Sequence, residues 1–283
     1  MLKQRVITAV VLLAILLPAL FASTPLPFTL IVLAMMAAGA WEWGRLNGLG
    51  AVGAVLTAAV CLVLCGLAWQ LGWLQSDLRV LWMVAGAAWV LGSVALIRAG
   101  VSGWSTIPRS IRLVGGVLAL WVAWLAVAQA RAMGVNFLLS IMVLVWVADI
   151  FAYFAGRTWG LRFTKNKLAP AISPGKSWEG AWGGAAGVLV LAVVWALLDR
   201  HYGAAVPSFY SHLRQAGWPL LVVAALFMAA MSVVGDLIES LIKRSAGVKD
   251  SSNLLPGHGG VLDRIDALLP TLPLAMMLTT LVH

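Results

Sequence analysis

Charged residues are scarce in this sequence of 283 residues: 10% are Asp, Glu, Lys or Arg, whereas 62% are hydrophobic. A water-soluble protein of this length needs more polar surface than that, so a soluble fold is excluded and a bilayer must solvate the exterior. There are only two cysteines, Cys61 and Cys65, and they lie in an apolar run without a neighbouring His or acid. We therefore expect neither a disulfide nor a cysteine metal site, and predict that both are small core residues.

Acidic residues are also few, with 10 against 19 basic residues and a formal net charge of +9. The basic residues lie in short segments between apolar runs rather than on a soluble domain. We therefore expect the excess positive charge to reflect membrane topology, and we expect no nucleic-acid partner.

Long apolar runs are abundant. A hydrocarbon core of roughly 30 Å requires roughly 20 apolar residues per helix, and the sequence offers about nine such stretches. They cover residues 6–22, 28–41, 51–71, 80–97, 113–130, 137–154, 181–198, 218–237 and 267–281. These runs predict an all-α polytopic membrane protein with about nine transmembrane helices.

The basic residues indicate an orientation. If the N-terminus is cytoplasmic, every Lys and Arg falls on the cytoplasmic side except Arg79, Arg131, Arg200 and Arg214. The positive-inside rule therefore predicts a cytoplasmic N-terminus and a C-terminus outside. The first apolar run could instead be a cleaved signal peptide, but Phe21 stands where cleavage requires a small residue, so we expect a retained helix.

The acids concentrate in the C-terminal half, where they are Asp149, Glu179, Asp199, Asp236, Glu239, Asp250, Asp263 and Asp266. Acids contribute little to topology and need another explanation. The N-terminal half has only Glu42 and Asp77. We therefore predict one integrated membrane domain, in which residues 1–135 form a scaffold and residues 136–283 carry the catalytic site.

A first candidate cluster lies near the end of the sixth apolar run. Asp149, Tyr153 and Arg157 are spaced i, i+4, i+8, and Gly156 on the same side leaves a gap for close approach. A carboxylate inside a membrane helix costs roughly 2.5–3.5 kcal/mol near the midplane, so it is a functional candidate. A purely structural contact between Asp149 and Tyr153 remains the alternative.

A second cluster is Lys176, Ser177 and Glu179, before the seventh apolar run. A P-loop is excluded because Pro170 stands where its first glycine is required and no strand precedes it. A Pro-Gly turn with Lys176 beside a helix N-terminus still suits a phosphate. Capping of that helix by Ser177 is the alternative.

The third cluster runs from the eighth apolar run into the ninth. Asp236, Glu239, Ser240, Lys243 and Arg244 share one helix face. They are followed by Lys249, Asp250, His258, Gly259, Gly260, Asp263, Arg264 and Asp266. Carboxylates suit Mg²⁺, Lys and Arg suit phosphate oxygens, and glycines let backbone N–H groups approach a ligand. His258 lacks a second ligand at zinc spacing, and a surface ion-pair network is the alternative for the whole cluster.

These residues resemble a known family. The pattern Ser240-x2-Lys243-Arg244-x4-Lys249-Asp250-x-Ser252-x2-Leu255-Pro256-x-His258-Gly-Gly-x2-Asp263-Arg264-Ile265-Asp266 is similar to the diagnostic motif of phosphatidate cytidylyltransferases, also called CDP-diacylglycerol synthases. The first and second clusters resemble other segments shared by that family, so the detailed likeness covers about the C-terminal half.

The resemblance implies that CTP and phosphatidate give CDP-diacylglycerol and pyrophosphate with Mg²⁺, at the cytoplasmic face of a bacterial inner membrane. The resemblance is also compatible with a second bound cation and with a homodimer. Under it, Asp236 and Asp263 are expected to bind metal, with Asp149 and Glu239 as outer partners. The residues expected to act on or bind phosphates and nucleotide are Lys243, Lys249, Asp250, Ser240, Arg244, Arg264, His258, Gly259, Gly260, Lys176, Ser177, Glu179, Tyr153 and Arg157.

Two other functions use similar residues. An anion or nucleotide transporter would line a path across the bilayer with its charges, whereas these charges gather on one side. A transferase that consumes CDP-diacylglycerol would resemble Asp-Gly-x2-Ala-Arg, which Asp263-Arg-Ile-Asp266 does not match.

Overall fold

A computed structural model describes residues 2–282, with side chains from residue 4 onward, and this part of the chain is helical. Met1 and His283, which the predicted domain boundaries included, and the side chain of Lys3 lie outside the described residues. Between residues 2 and 282 the β-type pairs are two isolated bridges, Ala169 with Ser173 and Leu255 with Gly259. The helices are α1 Leu2–Leu20, α2 Leu26–Leu46, α3 Ala51–Gln70, α4 Arg79–Thr106, α5 Arg109–Met133, α6 Val135–Trp159, α7 Trp178–Tyr202, α8 Phe209–Gln215, α9 Trp218–Ser245, α10 Leu262–Ile265 and α11 Leu268–Val282.

Eight spans in the described chain are long and apolar enough to cross a membrane, with α10 and α11 together forming the span Leu262–Val282. The predicted all-helical polytopic membrane fold is therefore confirmed. The predicted first span corresponds to α1, whose apolar part, Gln4–Leu20, is shorter than the others. At 1.5 Å per residue it covers roughly 26 Å, against a hydrocarbon core of roughly 30 Å. The clear spans thus number eight rather than nine because α1 is short.

Helices α1 and α2 run in opposite directions. Arg5, near the start of α1, donates from Nε to the Gly257 carbonyl at 2.9 Å, and Thr8 donates to the Pro256 carbonyl at 2.9 Å. Glu42, near the end of α2, contacts the same loop. The start of α1 and the ends of α2 and α9 therefore lie together, at what we call the site end of the bundle.

Helices α6 and α7 pack closely because α7 presents glycines to α6. A Cβ added at Gly184 would lie 2.8 Å from the Ala148 carbonyl oxygen, and one at Gly183 would lie 2.2 Å from the Ala155 Cβ. Larger residues would push the helices apart, as in other small-residue membrane interfaces. This contact carries the start of α7, with Lys176 just before it, to the site end.

Helix α4 bends at Gly100, which has φ 68° and ψ −169°. A residue with a side chain rarely adopts this positive φ, so the bend depends on glycine. After it, Trp104 is buried and packs edge-to-face on Trp43 of α2, with ring centroids 5.8 Å apart. The bend turns the last part of α4 toward the site end.

Candidate active site

The loop between α9 and α10 folds as a tight turn at the site end. Gly257 and Gly259 have φ values of 77° and 82°, in the left-handed region that favours glycine. Gly260 has no room for a side chain, since its Cβ would lie 2.4 Å from Glu42 Oε1. The fold of this loop therefore requires Gly257 and the two glycines that the sequence pattern singled out, Gly259 and Gly260.

Glu42 holds both ends of this loop, although it belongs to the N-terminal half. Its side chain is fully buried in α2. Its Oε1 accepts from the Ser252 hydroxyl at 2.5 Å and the Val261 N–H at 2.9 Å. Its Oε2 accepts from the Ser251 hydroxyl at 3.1 Å and the Leu262 N–H at 2.8 Å. One carboxylate thus ties the beginning of the loop to the start of α10.

Asp263, at the first turn of α10, is enclosed by donors. Its Oδ1 pairs with the Lys243 ammonium at 2.6 Å. Its Oδ2 accepts from the Ser251 N–H at 2.9 Å and the Gly260 N–H at 2.7 Å. It also lies 3.0 Å from the Ser251 hydroxyl, whose single proton it shares with Glu42. The Gly260 N–H, which the sequence suggested for phosphate, therefore binds Asp263 in this arrangement.

Lys243 lies between two buried acids. It pairs with Glu239 one turn earlier on α9 as well as with Asp263, and its side chain is only 13% exposed. Glu239 is buried, and its Oε1 has no hydrogen-bond partner within the described chain. A single ammonium therefore pairs with two acidic side chains, of which Asp263 also accepts from backbone N–H groups.

Asp236 joins α9 to the segment before α7. Its Oδ2 pairs with Lys176 at 2.6 Å, and its Oδ1 accepts from the Ser240 hydroxyl at 3.2 Å. Asp149 of α6 and Asp266 at the end of α10 are its electrostatic neighbours. The carboxylates predicted from separate sequence clusters therefore lie in one acidic group, which we call the acid cluster: Asp149, Asp236 and Asp266.

The second sequence cluster divides into two roles. Ser177 caps α7 by accepting from the Gly180 N–H at 3.1 Å, which is the alternative raised from the sequence. Glu179 is buried and accepts from the N–H groups of Phe163 and Thr164 at 3.0 and 2.8 Å, and from the Thr164 hydroxyl at 2.9 Å. These two residues hold local structure, whereas Lys176 reaches the acid cluster.

The outer part of the site is more open. On α6, Arg157 donates to the Tyr153 hydroxyl at 2.9 Å, and Tyr153 is 57% exposed. Gly156 on the same helix permits the close approach of Ser177, whose Oγ would lie 3.3 Å from an added Cβ. His258 is half-buried, and its Nδ1 has no hydrogen-bond partner among the described residues. Arg157 is also exposed, as are the candidate residues Asp149, Arg244, Lys249, Asp250 and Arg264.

The donor types suit a hard cation, although the described residues do not preform a site. No group of three or more His, Cys, Asp or Glu side chains within residues 4–282 is arranged to hold a metal ion. The acid cluster nevertheless gathers carboxylate oxygens, which Mg²⁺ prefers, beside the cations Lys176, Lys243 and Arg264. Because Lys176 occupies an oxygen of Asp236, a cation bound there competes with that ammonium.

The sequence pattern predicts no functional role for Glu42. Its position near the end of an apolar run was a usable signal, because a carboxylate in a membrane helix requires compensation. The donors that compensate it lie more than 200 residues away. The sequence around Glu42 therefore does not indicate which residues donate hydrogen bonds to it.

Comparison with known proteins identifies the family of this chain. Residues 3–282 match the model of the cytidylyltransferase family. A protein of Pseudomonas aeruginosa named phosphatidate cytidylyltransferase is 40% identical over 96% of this chain and 95% of its own length. A protein of the same name from Haemophilus influenzae is 38% identical over 96% of each chain. One from Bacillus subtilis, again of that name, is 38% identical over 52% of this chain and 49% of its own. The chain belongs to the cytidylyltransferase family.

Proposed function

We propose that this chain is a phosphatidate cytidylyltransferase, which converts CTP and phosphatidate into CDP-diacylglycerol and pyrophosphate. The observation that carries the proposal is the meeting of the acid cluster with Lys176 and Lys243 at one end of a membrane bundle. Both signs of charge are needed where metal and phosphate meet. The two relatives that match nearly the whole chain carry this name.

The reaction needs no protein nucleophile. An anionic oxygen of the lipid phosphate attacks the α-phosphorus of CTP and forms a new P–O bond. The bond from that phosphorus to the oxygen bridging the β-phosphorus breaks, and pyrophosphate leaves with the bonding electrons. The protein must therefore bring two anions together and stabilise the charge that moves to the leaving group.

The electrostatic repulsion between the two anionic substrates explains why a cation such as Lys243 is enclosed at the site. Two unit charges 4 Å apart interact by about 1 kcal/mol in water, but by about 4 kcal/mol at an effective dielectric constant of 20. Lys243 is enclosed and held by two acids, so its ammonium is oriented before substrate binds. Exposed Arg244, Lys249 and Arg264 are available to bind the phosphates of CTP.

Magnesium is part of the proposal. Asp236 and Asp263 would hold it in exchange for Lys176 and Lys243, the lysines that pair with them. Asp149 and Asp266 are the acids beside Asp236. When bound, Mg²⁺ would supply Lewis-acid stabilisation of the phosphoryl oxygens. Lys176, whose ammonium lies beside Asp236, would bind a phosphate oxygen.

We also propose that the protein lies in a bacterial inner membrane with the site end toward the cytoplasm. The basic residues gather at that end by the positive-inside rule, and CTP is a cytoplasmic nucleotide. The described acid cluster and its lysines come from one chain, so the proposal does not require a homodimer.

The test is a CTP-dependent assay on purified protein in detergent with labelled CTP, phosphatidate, EDTA and Mg²⁺ add-back. We expect lipid-linked label and pyrophosphate only when phosphatidate and Mg²⁺ are both present. Turnover from CDP-diacylglycerol and an alcohol would instead support a consuming transferase. Uptake of CTP into proteoliposomes without lipid-linked product would support a transporter and refute the proposal.

A further inference from the structure

The loop between α9 and α10 ends in a tight turn at residues 255–258, which we call the loop tip. The His258 N–H donates to the Leu255 carbonyl at 2.8 Å and closes the turn. Pro256 followed by Gly257 with a positive φ of 77° is typical of a type II turn. The carbonyls of Pro256 and Gly257 accept from α1 rather than from the loop itself. The loop tip therefore depends on a second element for two of its hydrogen bonds.

Helix α1 supplies both donors from one face. Arg5 and Thr8 are three residues apart, so their side chains lie on the same side of the helix. The Arg5 Nε and the Thr8 hydroxyl each donate at 2.9 Å, to Gly257 and Pro256 respectively. A Cβ added at Gly257 would lie 3.0 Å from the Arg5 Cγ and 3.3 Å from the Arg5 backbone nitrogen. The loop tip thus rests directly on the first turns of α1.

Helix α1 is held at its two ends and is exposed between them. Val6, Ile7 and Val10 are each more than half exposed, on a helix whose composition suits a bilayer. Just beyond the other end of α1, the Ala22 carbonyl accepts from the buried Arg131 of α5 at 2.6 Å. The helix therefore lies along the outside of the bundle as a strap, fixed to α5 at one end and to the loop tip at the other.

The two N-terminal helices hold different parts of the same loop. Glu42 of α2 binds the two ends of the loop, whereas α1 binds its tip. The loop tip contains His258 and is followed closely by Gly260, whose N–H binds Asp263. If the bonds from α1 are lost, Glu42 still fixes the loop ends. The tip is then free to turn, and His258 turns with it.

We propose that α1 positions the loop tip and that Arg5 and Thr8 are positioning residues for catalysis. This inference rests on the proposed function for the identity of the reaction. Both residues act through the turn that carries His258, a candidate phosphate ligand, rather than through the acids of the site. A neutral hydrogen bond contributes enough to change the population of a conformation about 3- to 10-fold. Each bond from α1 should therefore affect kcat by a factor of this order.

The first test removes one donor without changing the shape of the helix. Thr8→Val replaces the hydroxyl by a methyl group, and valine is favourable in a membrane helix. We expect kcat for CDP-diacylglycerol formation to fall about 3- to 10-fold, while the KM for phosphatidate changes little. Thr8→Ser restores the donor and should restore kcat. Arg5→Ala should lower kcat about tenfold, whereas Gln4→Ala, which changes the exposed neighbouring residue, is the matched control and should keep wild-type kcat.

The second test measures the loop without turnover. Leu254 precedes the loop tip and is 46% exposed, whereas both natural cysteines are buried. A nitroxide spin label attached after Leu254→Cys therefore reports the mobility of the loop by electron paramagnetic resonance. We expect the label to be more mobile when Arg5→Ala or Thr8→Val is added, and unchanged when Gln4→Ala is added. A helix with a purely structural role would lower the thermal midpoint without changing label mobility in the folded protein.

The outcomes separate this inference from the proposed function. Label mobility that depends on Arg5 and Thr8, in a protein without CTP turnover, would refute the proposed function and support the positioning of the loop tip by α1. An active wild type whose Arg5→Ala and Thr8→Val variants keep wild-type kcat and wild-type label mobility would overturn the inference. Failure of Thr8→Ser to restore kcat, or an equal loss in Gln4→Ala, would also overturn it, because the effect would then not come from the donated bonds.

Discussion

Replacing Glu42 by glutamine tests whether the N-terminal half contributes to catalysis. The side chain keeps its size, but one of the two oxygens becomes an NH₂ group that donates and cannot accept. Each oxygen of Glu42 accepts from one serine hydroxyl and one backbone N–H. A serine hydroxyl can rotate to accept from the new NH₂ group. The N–H of Val261 or Leu262 cannot, so at least one backbone donor is left unpaired.

The expected loss of activity follows from the one backbone N–H that is left unpaired. A hydrogen bond to a charged group contributes about 1.5–3 kcal/mol, and an unpaired buried donor costs a similar amount. If the loop conformation that holds Asp263 is destabilised by that free energy, this active conformation becomes about 10- to 100-fold less populated. We therefore expect Glu42→Gln to lower kcat by that factor. The KM for phosphatidate should change little, because the Glu42 carboxylate is fully buried and bonded to the loop rather than open to substrate.

The assay is CTP-dependent formation of CDP-diacylglycerol at saturating substrates, with thermal unfolding measured in the same detergent. Asp77→Asn is the matched control, since Asp77 is the other acid of the N-terminal half and its side chain is 69% exposed beside Arg79. It should retain wild-type kcat. A wild-type kcat in Glu42→Gln, or an equal loss in Asp77→Asn, would refute the positioning role of Glu42.

Three further changes probe the site itself. Asp236→Asn should abolish Mg²⁺-dependent turnover in a protein that remains folded, and near-normal activity would contradict its metal role. Lys243→Met should lower the free energy of unfolding by about 3–5 kcal/mol, because it leaves Asp263 and its neighbouring acid without a cation; an unchanged thermal midpoint would argue against this. Gly260→Ala should lose activity because its Cβ would lie 2.0 Å from a serine hydroxyl, whereas Gly175→Ala has open space and should stay active; equal activities would show that the loop tolerates a side chain.

Periodicity and apolar length predict the fold well because a bilayer imposes them directly on the sequence. Each of the eight clear spans overlaps a predicted run, and the last begins slightly earlier than predicted, at Leu262. The exception is α1. Its composition indicates an apolar helix, but the length of its apolar part does not decide whether the helix crosses the membrane. Its contacts at Arg5 and Thr8 depend on a loop some 250 residues later, which local sequence does not encode.

Within the site, sequence spacing predicts which residues share a helix face but not which residues meet across helices. Asp236, Ser240 and Lys243 lie on one face of α9, as their spacing predicts. The pairing of Asp236 with Lys176 depends instead on how α7 packs against α6 and α9. That packing is set by small residues such as Gly184, whose partners the sequence does not name.

The acids at the site end are of two kinds: some accept hydrogen bonds from backbone N–H groups, and others pair with a lysine ammonium. Glu42 and Glu179 each accept from two backbone N–H groups, which cannot leave without unfolding the loops that carry them. Asp236 is paired instead with the ammonium of Lys176, on a flexible stem that can move to another anion. Acids of the first kind fix the loops permanently, whereas an acid of the second kind can exchange its partner when a cation or a phosphate arrives. Sequence alone does not separate the two kinds, because both are carboxylates near helix ends.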